Sequence, residues 1–235
     1  MKYFSLVLPR RQYEWHEEDS FLASKTLPIL AVADGVTLSD YTGLIAPFGP
    51  KIIADIFCQE SVKYVEKHFE ELSGQTLLSS YLAANQEVRK YNDSQGKIYS
   101  TVAALVAIKN RKVFGSRLTD CGFALIRKGE LVFKTPEFWT WLKKSDRQGY
   151  GIINGQIDPT PYVDVYELEA EPGDLLLVFS DGFENHFSVP EFVGLFEGSD
   201  LEILETKIRE IDRELAGSDE EKYGHERTLV VAALS

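Results

Sequence analysis

Apolar residues follow two spacings along this chain, one typical of strands and one typical of helices. Runs with a period of two, or with no polar interruption, predict strands. These runs cover about residues 3–8, 27–33, 98–108, 111–118, 122–127, 130–133, 163–169, 175–180 and 228–234. Lys109-Asn110 and Lys128-Gly129 separate neighbouring runs as hairpin turns do, so we expect much of the sheet to be antiparallel.

Helical spacing occurs in separate parts of the chain. Two helices are predicted in succession, over about 50–71 and 76–92, and a later one carries an apolar stripe. The stripe consists of Leu201, Leu204, Ile208, Ile211 and Leu215. Ser188-Val189-Pro190-Glu191 has the pattern of a capping box, which predicts a helix start. Antiparallel strands with paired helices indicate sheets covered by helices, in one domain over residues 1–235.

Composition and charge narrow the classes of function. The formal net charge is −12, which argues against a nucleic acid or an anionic membrane as a partner, because both are polyanions. Cys58 and Cys121 show neither a metal-knuckle spacing nor a disulfide framework. The apolar part of residues 1–10 is too short for a signal peptide, and no run reaches the length of a membrane span. We therefore expect a cytoplasmic location.

Three short stretches place an acidic residue at the edge of an apolar run. They contain Asp34-Gly35, Asp120 and Asp181-Gly182. A buried strand fixes where its last residue points, and a following glycine lets the chain turn away at once. Several carboxylates at one sheet end would repel each other unless a hard cation lay between them. The pattern therefore predicts a Mg²⁺ or Mn²⁺ site with oxygen ligands.

The order of these motifs resembles the metal-dependent serine/threonine protein phosphatases of type 2C, including their short bacterial members. The matching pieces are Glu17-Glu18-Asp19, Ala33-Asp34-Gly35, two helices, residues 100–106, Thr119-Asp120-Cys121-Gly122, Pro172-Gly173-Asp174-Leu175, Ser180-Asp181-Gly182 and Glu226-Arg227-Thr228. The resemblance covers nearly the whole chain. It implies an α+β fold, a four-layer α-β-β-α sandwich of two antiparallel sheets flanked by helices, with a metal pair at one sheet end.

The resemblance also implies roles for individual residues. Glu18 matches the acidic residue that holds one metal largely through water, and Asp19 matches its supporting neighbour. Asp34 resembles the carboxylate that bridges both metals, Gly35 would add its carbonyl oxygen, and Asp181 resembles a ligand of the other metal. Asp34 and Asp181 are thus the expected catalytic residues.

Asp120 resembles the acidic residue that helps to hold a weaker third metal in some members of the family. The implied cofactors are two Mn²⁺ or Mg²⁺ ions per chain. The implied reaction is the hydrolysis of phosphoserine or phosphothreonine in proteins, through a hydroxide that bridges the metals and attacks phosphorus in line. A phosphorylated protein is the expected partner, and the sequence indicates no oligomeric state.

The chain departs from the family pattern at several positions, and two of them bear directly on the binding of metal and phosphate. The position of the final aspartate ligand is His225, which leaves three alternatives: the imidazole binds the metal, Glu226 reaches in instead, or one metal is weak or absent. The position of the phosphate-holding arginine is Glu14, which Arg10 or Arg11 could replace. A second hypothesis is therefore a catalytically weak or inactive member that binds a phosphoprotein or a regulatory partner.

Two further features lie near the expected site. His186 follows Ser180-Asp181-Gly182 closely, where a general acid for the leaving alkoxide would be suited. The aromatic run over residues 138–144 occupies the position of a variable insertion in the family. It could form a recognition flap for a protein segment or pack onto the sheet edge, and the sequence alone favours neither.

Overall fold

A computed structural model describes residues 2–9, 18–36, 49–145, 149–198 and 200–234 of the chain. Its strands are β1 (Lys2–Leu8), β2 (Ser20–Ala23), β3 (Ile29–Val36), β4 (Ser100–Lys109), β5 (Lys112–Leu118), β6 (Gly122–Arg127), β7 (Glu130–Lys134), β8 (Val163–Glu169), β9 (Leu175–Phe179) and β10 (Arg227–Ala233). They form two five-stranded antiparallel sheets, ordered β1-β10-β9-β6-β7 and β2-β3-β4-β5-β8. We call these the first and the second sheet.

The helices lie on the outer faces of the two sheets. They are α1 (Gly49–Lys67), α2 (Gly74–Gln95), α3 (Phe138–Lys144), α4 (Pro190–Gly194), α5 (Leu201–Ser218) and α6 (Glu220–Tyr223), with 3₁₀ helices at Phe69–Glu71, Thr160–Tyr162 and Asp181–Ser188. Within the described ranges, no helix has the length and apolar character needed to cross a membrane.

Three apolar layers hold the sandwich together. Between the sheets, residues such as Val32 and Val178 are fully buried in a shared core. Phe57 of α1 and Tyr81 of α2 pack against the outer face of the second sheet. The 3₁₀ helix at Asp181–Ser188, together with α4 and α5, covers the outer face of the first sheet. The expected α-β-β-α sandwich is confirmed.

Local signals explain both ends of helix α2. Ser73 caps α2, because its hydroxyl accepts the Thr76 amide, and Gly96 ends that helix at φ 61°. The predicted capping box at residue 188 is wrong: the Ser188 hydroxyl donates to the Asn185 carbonyl at 2.7 Å, and α4 starts without a side-chain cap. A local bond within the preceding 3₁₀ helix thus competes successfully with the cap.

Candidate metal centre

The acidic residues found in the sequence lie near one common end of both sheets. Asp34 is still inside β3, which pairs with β4 as far as Val36, so the predicted turn at Gly35 is wrong. In the second sheet, the register pairs Ala33 with Ser20, which places Asp34 beside the residues that precede β2. In the first sheet, Phe179 pairs with Leu229, which places the residues after β9 beside those before β10. Asp120 lies in the turn where the chain passes from β5 to β6, between the sheets.

Ser180 joins three of these segments through hydrogen bonds. Its amide donates to the Thr228 carbonyl at 3.0 Å, and its hydroxyl accepts the Thr228 amide at 2.8 Å. The same hydroxyl donates to Asp19 Oδ2 at 2.6 Å. Ser180, Thr228 and Asp19 are all buried. The start of β10, the end of β9 and the segment before β2 are therefore held in one fixed arrangement.

Glu226 adds a second link across the same end of the sheets. Its Oε1 accepts the amide of Glu18 at 2.7 Å and the amide of Asp19 at 3.0 Å. The side chain of His225 is exposed, while its carbonyl accepts a hydrogen bond from Arg227 Nη1 at 2.5 Å. Of the two neighbours, Glu226 is the one that contacts the acidic segment.

Gly35 is required here by space. A Cβ at this position would lie 2.7 Å from the Pro50 carbonyl carbon and 2.8 Å from the Glu18 carbonyl oxygen. The Gly35 amide also donates to that Glu18 oxygen at 3.2 Å. The absence of a side chain thus lets α1, β3 and the acidic segment meet at the cluster.

The carboxylates at this end raise each other's pKa. Burial raises the pKa of Asp19 to about 7, and the charge of Glu226 adds to the shift. Burial also raises the pKa of Asp34 well above its usual range, and Asp19, Asp181 and Asp120 contribute by repulsion. We call these five residues, Asp19, Asp34, Asp120, Asp181 and Glu226, the acidic cluster. A bound cation would relieve the repulsion among these carboxylates.

Asp181 and Asp120 complete this pattern from the first sheet and from the turn between sheets. Desolvation of the Asp181 carboxyl, with repulsion from Glu184, raises its pKa to about 6 although part of the residue is exposed. Burial and the charge of Asp181 raise the pKa of Asp120 to about 7. Oδ1 of Asp120 is buried and has no hydrogen-bond partner. An unpaired buried carboxylate oxygen is costly, so it needs a partner such as a cation.

The backbone before Asp120 is strained. Thr119 has φ 64°, in the left-handed region that β-branched residues avoid, and its hydroxyl donates to the Gly151 carbonyl at 2.7 Å. Such a conformation costs about 1–3 kcal/mol. The hydrogen bond from Thr119 to Gly151 holds this turn, and with it the backbone that leads to Asp120, in place.

The donor chemistry of the cluster fits a hard divalent cation. Carboxylate and carbonyl oxygens are the ligands that Mg²⁺ and Mn²⁺ prefer. Among the residues that the structure describes, however, no three His, Cys, Asp or Glu side chains lie close enough to hold an ion by themselves. Water and backbone oxygens, such as the Gly35 carbonyl, would have to complete the coordination, as is usual for Mg²⁺.

His186 is positioned for a different role than the sequence suggested. It is completely buried, and its Nε2 lies 3.1 Å from Oδ1 of Asp212 in α5. A ring without access to solvent cannot protonate a leaving group of a bound substrate. Burial would raise the pKa of Asp212, but hydrogen bonds from His186 and Arg227 hold it below its usual value. Sequence reasoning missed Asp212 and Arg227, because their partners lie on other elements.

The aromatic run over 138–144 both packs and faces solvent. The Arg117 guanidinium lies 5.6 Å from the ring centre of Phe138 and 5.3 Å from that of Trp141. Trp139 is 44% exposed and meets Tyr150, which is 52% exposed, in an edge-to-face contact at 5.5 Å. Helix α3 is therefore anchored through Phe138 and Trp141, and its Trp139 forms an exposed aromatic pair with Tyr150.

Arg10 and Arg11, the candidates for phosphate binding, and Glu14, which occupies the position of the family's arginine, lie outside the described residues.

The chain belongs to the protein phosphatase 2C family. The family model described as "Protein phosphatase 2C" matches residues 11–217. A curated relative, "Probable protein phosphatase 2C 55" of Arabidopsis thaliana, is 31% identical over 101 residues, which are 40% of this chain. That alignment spans only 19% of the plant protein.

Solved structures of similar fold cover the chain completely. The serine/threonine phosphatase PstP/Ppp of Mycobacterium tuberculosis aligns over 100% of this chain and 98% of its own, with a TM-score of 0.75 and 16% identity. A PstP catalytic domain described in complex with two manganese ions covers the same shares, with a TM-score of 0.70 and 17% identity. The sandwich is thus the fold of this phosphatase class.

Proposed function

We propose that this chain, as one domain over residues 1–235, is a divalent-metal-dependent phosphatase of the cytoplasm that hydrolyses phosphoserine or phosphothreonine in proteins. The observation that carries the proposal is the acidic cluster, which distant segments bring to one end of both sheets with raised pKa values and an unpaired Asp120 oxygen. Family membership supports this chemistry.

In this proposal, members of the acidic cluster together with Glu18 and Gly35 hold two Mn²⁺ or Mg²⁺ ions. Asp34 and Asp181 supply carboxylates, Gly35 its carbonyl, and Glu18 and Asp120 further oxygen ligands. A bound metal pair would supply an acidified water and positive charge for the phosphoryl oxygens. Asp19 holds the hydroxyl of Ser180 and, through its amide, Glu226, so its role is to keep the ligand segments in place.

The test is phosphate release from a phosphothreonine peptide with Mn²⁺, with Mg²⁺ or with a chelator. Asp34→Asn should lower the metal-dependent rate by about 100-fold or more, because loss of a direct ligand costs at least as much as loss of its supporting partner. Asp93→Asn on the exposed face of α2 is the control and should leave the rate unchanged. Turnover that survives Asp34→Asn or the chelator would contradict the proposal.

A second candidate is a weak or inactive member that binds a phosphoprotein. It is favoured by the absence, in the described parts of the chain, of three side chains that could hold an ion unaided. Calorimetric titration with Mn²⁺ separates the two candidates. Two binding events per chain support the enzyme. No metal binding, together with retained affinity for a phosphopeptide, supports the binding protein.

A further inference from the structure

Arg227, which follows Glu226 of the acidic cluster in the chain, forms a buried ion pair with Asp212. Arg227 Nε and Nη2 donate to the two carboxylate oxygens of Asp212 at 2.5 and 2.7 Å. The two residues are 3% and 4% exposed. Such a pair is weak evidence for stability, because desolvation of both charges cancels much of their attraction. The contacts of Arg227 next to Glu226 point instead to a role in geometry.

Arg227 makes a third contact that bears on Glu226. Its Nη1 donates to the His225 carbonyl at 2.5 Å. This bond links the two chain neighbours of Glu226 to each other. The Glu226 carboxylate in turn accepts the amides of Glu18 and Asp19. Displacement of the Arg227 guanidinium would break its bond to the His225 carbonyl and leave the backbone at Glu226 less restrained.

Asp212 connects this grip to the segment that carries Asp181. His186, which lies 3.1 Å from Asp212 through its Nε2, belongs to the 3₁₀ helix that starts at Asp181. Gly182 in that helix meets the same backbone, since a Cβ there would lie 2.3 Å from the Glu226 carbonyl oxygen. Asp212, a buried residue of α5, thus connects the segment of Asp181, through His186, with the segment of Glu226, through Arg227.

We propose that Asp212 and Arg227 are positioning residues that hold Glu226 and the Asp181 segment in register and thereby set the divalent-metal affinity of the cluster. The proposal rests on the proposed function for its metal readout. The position of Glu226 itself is measurable without metal.

The central variant is Arg227→Lys, which keeps the charge but cannot bond to Asp212 and the His225 carbonyl together. The matched control is Arg127→Lys. Arg127 also makes a two-pronged bond, to Asp174 at 2.8 and 2.9 Å, at the opposite end of the first sheet. A second variant, Asp212→Leu with Arg227→Met, replaces the pair by apolar groups and avoids an unpaired buried charge.

Each variant is measured for Mn²⁺ affinity by calorimetry, and for hydrogen exchange at the Glu18 and Asp19 amides in chelator. We expect Mn²⁺ affinity to fall by about 10-fold or more in Arg227→Lys and in the apolar double variant. Both amides should lose protection as Glu226 moves. The Arg127→Lys control should change neither quantity by more than about twofold.

Folded variants that keep both amides protected would overturn the proposal, whatever their metal affinity. Protection that is lost while Mn²⁺ affinity stays unchanged would overturn its metal part. If the unsubstituted chain binds no Mn²⁺, the proposed function fails, and the exchange experiment still decides whether Arg227 holds Glu226.

Discussion

At the scale of single residues, Glu226 is bound by backbone amides and is also repelled by the Asp19 carboxylate. Two backbone amides bind its Oε1, while its charge raises the pKa of Asp19. The amides stabilise a carboxylate that its surroundings would otherwise expel.

Substitutions of Glu226 and of His225 should therefore change metal-dependent turnover to different extents. Glu226→Gln removes the negative charge but keeps an acceptor oxygen, and should lower metal-dependent turnover by about 10-fold or more. His225→Ala removes an exposed ring and should leave the rate within about twofold. Initial rates at several Mn²⁺ concentrations measure both. A larger effect of the His225 substitution would show that imidazole is the working ligand.

Gly182 gives a second prediction at this scale. An alanine there would place a methyl group 2.3 Å from the Glu226 carbonyl oxygen, so the backbone must shift. Gly182→Ala should cost about 1–3 kcal/mol of unfolding free energy and should weaken Mn²⁺ binding. Gly194→Ala, where no atom lies within 4 Å of the added carbon, is the control. Urea unfolding in chelator compares the two, and equal stability would contradict the packing argument.

The sequence predicted the acidic residues but could not choose between the two final neighbours. Asp34, Asp120 and Asp181 stand out because each directly follows, or nearly ends, an apolar run. His225 and Glu226 are adjacent and can both bind a divalent cation. The choice depends on contacts with Glu18 and Asp19, which are more than 200 residues away in sequence.

At the scale of elements, helix α5 shows what periodicity can and cannot reveal. The apolar stripe found in the sequence faces the core, and Leu204 and Ile208 are completely buried. Asp212 lies on the same buried face, although a charged residue would be assigned to solvent by pattern alone. Its burial depends on Arg227 of β10, so only the tertiary structure reveals it.

The two faces of α5 offer a matched pair of substitutions. Ile208→Ala removes a fully buried side chain and should cost about 2–5 kcal/mol of unfolding free energy. Ile203→Ala removes a side chain that is 55% exposed and should change stability by less than about 0.5 kcal/mol. Denaturant titrations measure both. Equal losses would mean that the outer helix layer is assigned to the wrong face.

Short edge elements escaped the sequence analysis for a different reason. Strand β2 has four residues, too few to show a period of two, and it exists because it pairs with β3. Helix α3 has seven residues, and Arg117 holds its aromatic side chains against the sheet. Tertiary contacts decide the conformation of such segments, and local propensity does not.

At the scale of the whole molecule, the acidic cluster makes stability depend on pH. The pKa values of Asp19 and Asp120 are raised from 3.8 to about 7, and that of Asp181 to about 6. Between pH 4 and 7 the folded chain therefore binds more protons than the unfolded chain. The free energy of unfolding of the metal-free protein must then fall as pH rises through this window.

Melting temperatures in chelator should accordingly decrease from pH 5 to pH 8. Added Mn²⁺ should raise the melting temperature more at pH 8, where it replaces the missing protons, than at pH 5. Asp120→Asn removes one of the titrating groups and should flatten the metal-free profile. A metal-free protein that becomes more stable towards pH 8 would contradict the assigned direction of these shifts.

The pairing of β1 with β10 also has a consequence for how the molecule is made. Glu226 contacts an amide 208 residues earlier, and β10 lies between β1 and β9. At roughly 5–20 residues per second, synthesis separates these partners by roughly 10–40 s. During that interval the nascent chain lacks β10 of the first sheet and also lacks Glu226, which accepts the amides of Glu18 and Asp19. The acidic cluster is therefore complete only after β10 has been made and has paired with β1.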